Sequence, residues 1–242
     1  MFMSYTGVES SLSEAMKLFD AIVSRRERLI KDSRDIISLS ARTIVSVHTS
    51  NFIEAKKLKN EAKQKLENLR KIAESDLARY LLTPEQEFVE CSVVLAVATK
   101  KTLPSRRQLG VTPSSYILGM LDVIGELKRS VYDSIRKDEF DDAERMFSAM
   151  ENLYLMLSPF AVYDHIAQGV KRKLDVARIL IEDTRATVTE EARRRDFVHA
   201  VNELAIRLGK TPMESSTRIV TNKSTKLSEP LDEESSETNG FD

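Results

Sequence analysis

The sequence predicts an all-α protein. Seven glycines and six prolines are few for 242 residues, and apolar residues recur at spacings of three and four, which is typical of amphipathic helices. The length is sufficient to bury a substantial core in one large domain or two small ones. We expect helical segments over residues 9–48, 51–80, 83–98, 113–131, 139–157, 158–182 and 190–208, with the β-branched stretch 184–189 as an interruption.

The segment 88–98 is apolar nearly all round, which is the pattern of a helix buried in the middle of a bundle. The preceding segment 83–86, Thr-Pro-Glu-Gln, predicts the start of this helix through a capping box. Glu87 and Glu90 are three residues apart and share one face. Because carboxylates beside an apolar run resist burial as bare charges, we expect a cation, a proton or an arginine next to them.

A second helix, introduced by Thr112-Pro113, carries Asp122 and Glu126 on one face among apolar residues. If the two helices are antiparallel neighbours, the four carboxylates converge on one pocket. Such an oxygen ligand set suits Mg²⁺ or Mn²⁺ better than zinc or copper. The alternative is that these acids are surface or salt-bridged residues without a catalytic role.

The first helix carries a basic series beside its apolar stripe, and two interpretations remain open. The series is a solvated face paired with Glu27, Asp32 and Asp35, or it is a ridge that binds phosphates. Its members are Arg25, Arg26, Arg28, Lys31, Arg34 and Arg42.

The remaining features limit the class of protein. The lone Cys91 excludes a disulfide framework and indicates a reducing, cytoplasmic compartment. We find no secretory signal and no apolar run long enough to cross a bilayer. A net charge of −1 gives no overall attraction to nucleic acid.

The chain is expected to have a helical part and a tail. We expect residues 1–208 to form the helical domain, in which residues 183–208 are a charged extension. The acidic Ser/Thr-rich tail, residues 209–242, is expected to be disordered.

Two motifs stand out, QEFVE at residues 86–90 and VTPSSYILGMLDVIGELKR at 111–129, and they are accompanied by SRDI at 33–36 and ARTI at 41–44. These motifs resemble the translin family, and specifically its catalytic branch, translin-associated factor X (TRAX). The motifs occur in the family's order, and the resemblance covers about residues 14–182. The charged extension after Glu182 departs from the family pattern.

The resemblance implies a seven-helix fold that assembles into a closed oligomeric shell, typically an octamer, enclosing RNA. In TRAX, residues matching Glu87, Glu90 and Asp122 carry metal-dependent endoribonuclease activity, and the residue matching Glu126 lies in the same site. The expected activity is therefore Mg²⁺-dependent cleavage of RNA, with Mn²⁺ as an alternative ion. Translin itself binds nucleic acid without contributing this acidic set.

The expected partners are single-stranded RNA, with single-stranded DNA as a second ligand, and further copies of the chain. We expect Arg34, Arg42 and Arg129 to contact phosphates, the last because it lies about one turn beyond Glu126. Two other interpretations remain: a non-catalytic translin-like shell that binds nucleic acid, and a helical adaptor whose charged helices bind a partner protein.

Overall fold

A computed structural model describes residues 5–211, and within them it contains helices and no strands. The all-α prediction is confirmed. Within residues 5–211, two short 3₁₀ helices, Ala78–Leu81 and Ser158–Tyr163, accompany seven α-helices. These are α1 (Thr6–His48), α2 (Phe52–Ala73), α3 (Leu82–Ala98), α4 (Arg106–Leu109), α5 (Pro113–Arg136), α6 (Phe140–Leu157) and α7 (Val170–Arg207).

The chain divides into two units, residues 1–195 and 196–242. The sites described below lie in the first unit. In the second unit the structure describes the last turns of α7 and the residues up to 211, where Phe197, Leu204 and Leu208 are exposed. The tail predicted for residues 209–242 lies outside the described residues from 212 onward. No helix among residues 5–211 combines the length and apolar character needed to cross a membrane.

Helix α3 is the centre of the first unit. It packs against α1, α2 and α5, and every apolar side chain from Phe88 to Val97 is buried. The prediction of a helix buried on nearly all sides is confirmed. The reason is compositional, because an apolar surface that surrounds a helix completely has to be covered on every side.

The predicted start of α3 is wrong in detail. The 3₁₀ helix that ends at Leu81 continues directly into α3, so the helix begins at Leu82 and makes no side-chain cap. Thr83 therefore lies inside the first turn. The predicted second helix is also too long, because α2 ends at Ala73, where Glu74 takes a left-handed conformation with φ 48°.

Helices α1 and α2 form the antiparallel hairpin expected from their short link. Lys65 donates to Asp35 at 3.0 Å, and Arg25 to Asp76 at 2.6 Å. Helix α2 can cover only the second half of α1, because α1 has 43 residues and α2 has 22. The apolar positions before residue 24, which belong to the apolar stripe of the first helix, are therefore largely exposed.

The connection from α3 to α5 is not a plain loop. It contains the four-residue helix α4, which Ser105 and Gln108 close with a reciprocal capping box. The predicted start of α5 is confirmed: Thr112 is the N-cap, its Oγ1 accepts from the Ser115 backbone N at 3.3 Å, and Pro113 is the first helical residue.

Helix α7 differs from the prediction in two places, at its start and at the predicted interruption over residues 184–189. It begins at Val170, and Gly169 lies just before it with φ +91°. It also passes through residues 184–189 without interruption. Thr184 is fully buried there and donates to the Leu180 carbonyl at 2.7 Å. The weak helix propensity of β-branched residues is overridden because this stretch is packed against the bundle.

Candidate metal and nucleic-acid site

Helices α3 and α5 run in the same general direction. The Thr112 backbone N donates to Glu85 Oε2 at 2.9 Å, which places the start of α5 beside the start of α3. A Cβ added to Gly119 would lie 2.6 Å from the Gln86 carbonyl oxygen and 2.8 Å from Val89 Cβ. The antiparallel arrangement considered from the sequence is therefore wrong. The segment 99–112 returns the chain to the same end of the bundle before α5 begins.

This arrangement still brings Glu87, Glu90, Asp122 and Glu126 together; we call them the acid cluster. Burial first, and then the charges of Asp122, Glu87 and Glu126, together raise the pKa of Glu90 to about 8. Burial and then the charge of Asp122 raise the pKa of Glu87 in the same direction. The four carboxylates therefore repel one another across a shared, partly dehydrated space, as expected for acids that have been placed close together.

Lys173 of α7 supplies a cation to this space. Its Nζ lies 2.5 Å from both carboxylate oxygens of Asp122 and 3.4 Å from Gln86 Oε1. Its charge lowers the pKa of Glu87, Glu90 and Asp122 alike, although for all three burial is the larger effect and raises the pKa. A cavity of about 410 Å³ between α5 and α7 is lined by Asp122, Lys173 and Arg172, among other residues.

Glu126 has a different partner. His48, at the last turn of α1, has its Nε2 2.7 Å from Glu126 Oε2, and its Nδ1 lies 3.6 Å from Asp133 Oδ2. The hydrogen bond from His48 lowers the pKa of Glu126, against an opposing effect of burial. The expectation that these acids need a cation or a proton is thus met in three ways: Asp122 has Lys173, Glu126 has His48, and Glu90 retains its proton to about pH 8.

Among residues 5–211, no three His, Cys, Asp or Glu side chains are positioned to hold one metal ion together. Asp122 is engaged by Lys173, and Glu126 is engaged by His48. The donor set nevertheless fits a hard divalent cation, because it consists of carboxylate oxygens with an excess of negative charge. Lys173 would have to release Asp122 before a metal ion gained that ligand.

The predicted phosphate contacts Arg34, Arg42 and Arg129 are all exposed, and their guanidinium groups form no ion pair within the described residues. The charge of Arg129 lowers the pKa of Glu126, which places it near the acid cluster. Other members of the basic series are engaged. Arg25 pairs with Glu74 and Asp76, Arg28 with Asp32, and Arg26 donates to the Tyr80 hydroxyl. The interpretation as a solvated, paired face therefore holds for these three arginines, and phosphate binding by Arg34 and Arg42 stays a prediction.

Sequence reasoning missed Lys173, His48 and Glu85. Glu85 is only 1% exposed, and it accepts from Arg70 Nε at 3.1 Å as well as from Thr112. It therefore joins α2, α3 and α5. Lys173 and His48 lie far along the chain from the acids they contact, and no local pattern marks either of them. For Glu85 the sequence provides a weak indication of burial, because this residue lies in the first turn of the most apolar helix.

Comparison with known proteins decides the family. A model described as the Translin family matches residues 24–182, which include the whole acid cluster. The chain belongs to the translin family. An uncharacterized protein of Methanocaldococcus jannaschii is 36% identical over 168 residues, which are 68% of this chain and 75% of that protein.

Solved structures share the fold. The crystal structure of AfC3PO is 28% identical with a TM-score of 0.71, and AfC3PO bound to duplex RNA is 27% identical with a TM-score of 0.69; each match covers 76% of this chain and 98% of the other. Apo-NeC3PO has a TM-score of 0.67 over 74% of this chain and 96% of its own, and at 20% identity it shows the fold alone.

Proposed function

We propose that this translin-family protein is a metal-dependent endoribonuclease of the TRAX type, which binds and cleaves single-stranded RNA within a homo-oligomeric shell, most simply an octamer. The observation that carries the proposal is the acid cluster, four carboxylates gathered at the most buried helix of the molecule. The RNA in the AfC3PO complex supports RNA as the ligand. That RNA is a duplex, so our assignment of a single strand depends on the test below.

The residues have separable roles in this proposal. Glu87, Glu90 and Asp122 would hold Mg²⁺ or Mn²⁺, and Glu126, oriented by His48, lies beside them. A divalent ion held there would activate water and neutralise charge on the scissile phosphate. Arg172 and Lys173, which line the cavity next to Asp122, offer positive charge to a strand entering from that side. Arg34, Arg42 and Arg129 bind flanking phosphates.

The test is cleavage of a labelled single-stranded RNA by the purified full-length protein, with Mg²⁺ and with a chelator. We expect cleavage only with the metal ion, and a loss of several orders of magnitude in Glu87→Gln, Glu90→Gln and Asp122→Asn. Each amide preserves the shape of the side chain while removing the charge that binds the ion, so the variants should fold and still bind RNA.

Glu144→Gln is the control, because Glu144 is exposed on α6 and lies outside the acid cluster. It removes the same charge and should leave cleavage unchanged. If Glu90→Gln and Asp122→Asn cleave at the parent rate, the acid cluster is not the active site. Offering a duplex of the same sequence in parallel decides between single-stranded and double-stranded substrate.

The second candidate is a non-catalytic RNA-binding protein, and one observation favours it. Lys173 already forms an ion pair with Asp122, and His48 already forms a hydrogen bond with Glu126, which is what a purely structural cluster would show. In that case the metal ion has no effect on RNA, and Asp122→Asn lowers stability because it leaves Lys173 partly buried without its partner.

The phosphate contacts have a test of their own. Arg34→Ala and Arg42→Ala should weaken RNA binding to a similar degree for every sequence and should reduce the slope of log affinity against log salt by about one per arginine. Arg28→Ala is the matched control, since Arg28 lies on the same helix and pairs with Asp32 at 3.6 Å. A loss that depends on RNA sequence would show that these arginines contact bases.

A further inference from the structure

A second cavity lies between α2, α3 and the segment that follows α3, and it has no part in the function proposed above. It has a volume of about 330 Å³. We call it the lysine cavity, because its lining includes Lys56, Lys59 and Lys101. Ser92 lies in the same wall and is two residues beyond Glu90. At about 100° per residue, the two side chains point to nearly opposite sides of α3, so the lysine cavity is separate from the acid cluster.

The charge of this cavity is uncompensated within the described residues. None of its three lysines forms an ion pair there, and no carboxylate is among the lining residues. Neighbouring lysines behave differently: Lys57 lies 3.8 Å from Glu54, and Lys100 lies 3.1 Å from Asp142. Three unpaired ammonium groups around one concave space repel one another, and an anion placed between them removes that repulsion.

Ser92 adds a hydrogen-bonding group to the same wall. Its residue is 5% exposed, and its Oγ has no hydrogen-bond partner within the described residues. Buried hydroxyl groups are nearly always hydrogen-bonded, so an orphaned one beside a cavity indicates a missing partner. The Oγ itself is covered and acts on the neighbouring Cys91 thiol, so an anionic oxygen in the cavity accepts from it once the Ser92 side chain rotates.

The rest of the lining is suited to an apolar or planar group. Leu95, Ala96, Pro104 and Leu109 contribute a hydrophobic wall, and Asn60 contributes an amide. The volume is at the lower end of the range for small-molecule sites, which is about 300–1,000 Å³. A site of this size with cations at one side and an apolar wall at the other matches a phosphate group attached to a flat ring.

We propose that the lysine cavity binds a free mononucleotide. The phosphate contacts Lys56, Lys59 and Lys101 and accepts from Ser92, and the base packs against Leu95, Pro104 and Leu109. This site lies across α3 from the acid cluster. The proposal therefore stands or falls independently of RNA cleavage.

The test is isothermal titration calorimetry of the full-length protein with adenosine monophosphate as the probe. We expect saturable binding, weakened about tenfold or more by Lys59→Ala, which is the effect of losing one charged hydrogen bond, and weakened further by the double variant Lys56→Ala/Lys101→Ala, which loses two. Ser92→Ala should weaken it several-fold. Lys57→Ala and Lys100→Ala are matched controls on the same elements, and they should bind as the parent does.

Titrations with further ligands show which part of the mononucleotide accounts for the measured binding. Adenosine should not bind, and inorganic phosphate should bind more weakly than the mononucleotide. Equal binding of phosphate and mononucleotide, or an equal loss in the two control variants, would overturn the proposal. It would also be overturned if the cavity variants weakened binding of a 5′-phosphorylated RNA while the mononucleotide bound to none of the proteins, because the lysines would then belong to an RNA-binding surface.

Discussion

Lys173 is the residue on which the properties of the acid cluster depend most directly. Its ammonium group holds both oxygens of Asp122 and acts on Glu87 and Glu90. Lys173→Met keeps most of the side-chain volume and removes that charge. We expect the metal-free protein to lose about 1–3 kcal/mol in free energy of unfolding, since a partly buried carboxylate loses its donor.

The same variant should bind Mn²⁺ more tightly than the parent, because Asp122 no longer has an internal competitor. Electron paramagnetic resonance of free Mn²⁺ measures this affinity directly. Lys171→Met is the control, since Lys171 is exposed on the same helix and outside the acid cluster. Unchanged Mn²⁺ affinity in Lys173→Met, with binding still lost in Glu90→Gln, would mean that Lys173 does not compete with the ion.

Glu90 makes stability depend on pH in a definite direction. Its pKa rises from the ordinary value of 4.5 to about 8 in the folded protein, mainly through burial. Between these values the folded state holds a proton that the unfolded state has released, so the metal-free protein loses stability as pH rises through this window. Above pH 8 this loss levels off.

Melting temperatures of the parent and of Glu90→Gln, measured with a chelator from pH 5 to pH 9, isolate this contribution. Because the amide does not titrate, the melting temperature of the variant should rise relative to that of the parent as the pH increases. The difference between the two curves removes the effects of other groups, such as Asp142 and Asp183, whose lowered pKa values act at acid pH. Two parallel curves would contradict the role given to Glu90.

At the level of helices, the contact between α3 and α5 decides whether the acid cluster exists. Gly119 allows this close approach, because an added Cβ would come within 3.0 Å of the Gln86 carbonyl oxygen and of Val89. Gly119→Ala therefore pushes the two helices apart. We expect a loss of about 1–3 kcal/mol in stability, as for overpacked cores generally, together with weaker metal binding.

Gly125 provides a control on the same helix. An added Cβ there would meet only Leu180 Cδ1, at 4.0 Å, which is ordinary contact. Gly125→Ala should be neutral or stabilising by up to about 1 kcal/mol, because alanine is the better helix former. Urea denaturation of both variants makes the comparison. If Gly119→Ala were as stable as Gly125→Ala, the helices would not be in the tight contact described.

At the scale of the whole molecule, the first half of α1 has an apolar face that residues 5–211 leave uncovered. Val8, Leu12, Met16, Phe19 and Val23 follow one side of the helix, and their exposed fractions range from 49% to 66%. Exposed apolar stripes of this kind mark protein interfaces. In a protein proposed to form a homo-oligomeric shell, we infer that the stripe packs against another copy.

Light scattering tests this inference. The parent should have a mass of about eight subunits, and the double variant Leu12→Glu/Phe19→Glu should dissociate because it places charges within the stripe. Ser10→Glu is the control, since it lies on the opposite side of α1, also exposed. A parent mass of one subunit at all concentrations would contradict the proposed shell.

The sequence by itself determined the local features. It predicted the all-α class, the burial of α3 on nearly all sides and the start of α5 at Thr112-Pro113. It also drew attention to Glu87, Glu90, Asp122 and Glu126. These features follow from helical periodicity, capping and composition, which act over a few residues and are therefore readable along the chain.

Only the tertiary structure decided which distant groups meet. The parallel course of α3 and α5, the pairing of Asp122 with Lys173 and of Glu126 with His48, and the continuity of α7 through Thr184 all depend on packing between elements. Lys173 is 51 positions from Asp122, and His48 is 78 positions from Glu126. Such pairs leave no periodic trace, because the free energy that holds them comes from burial and charge across helices rather than from local backbone preference.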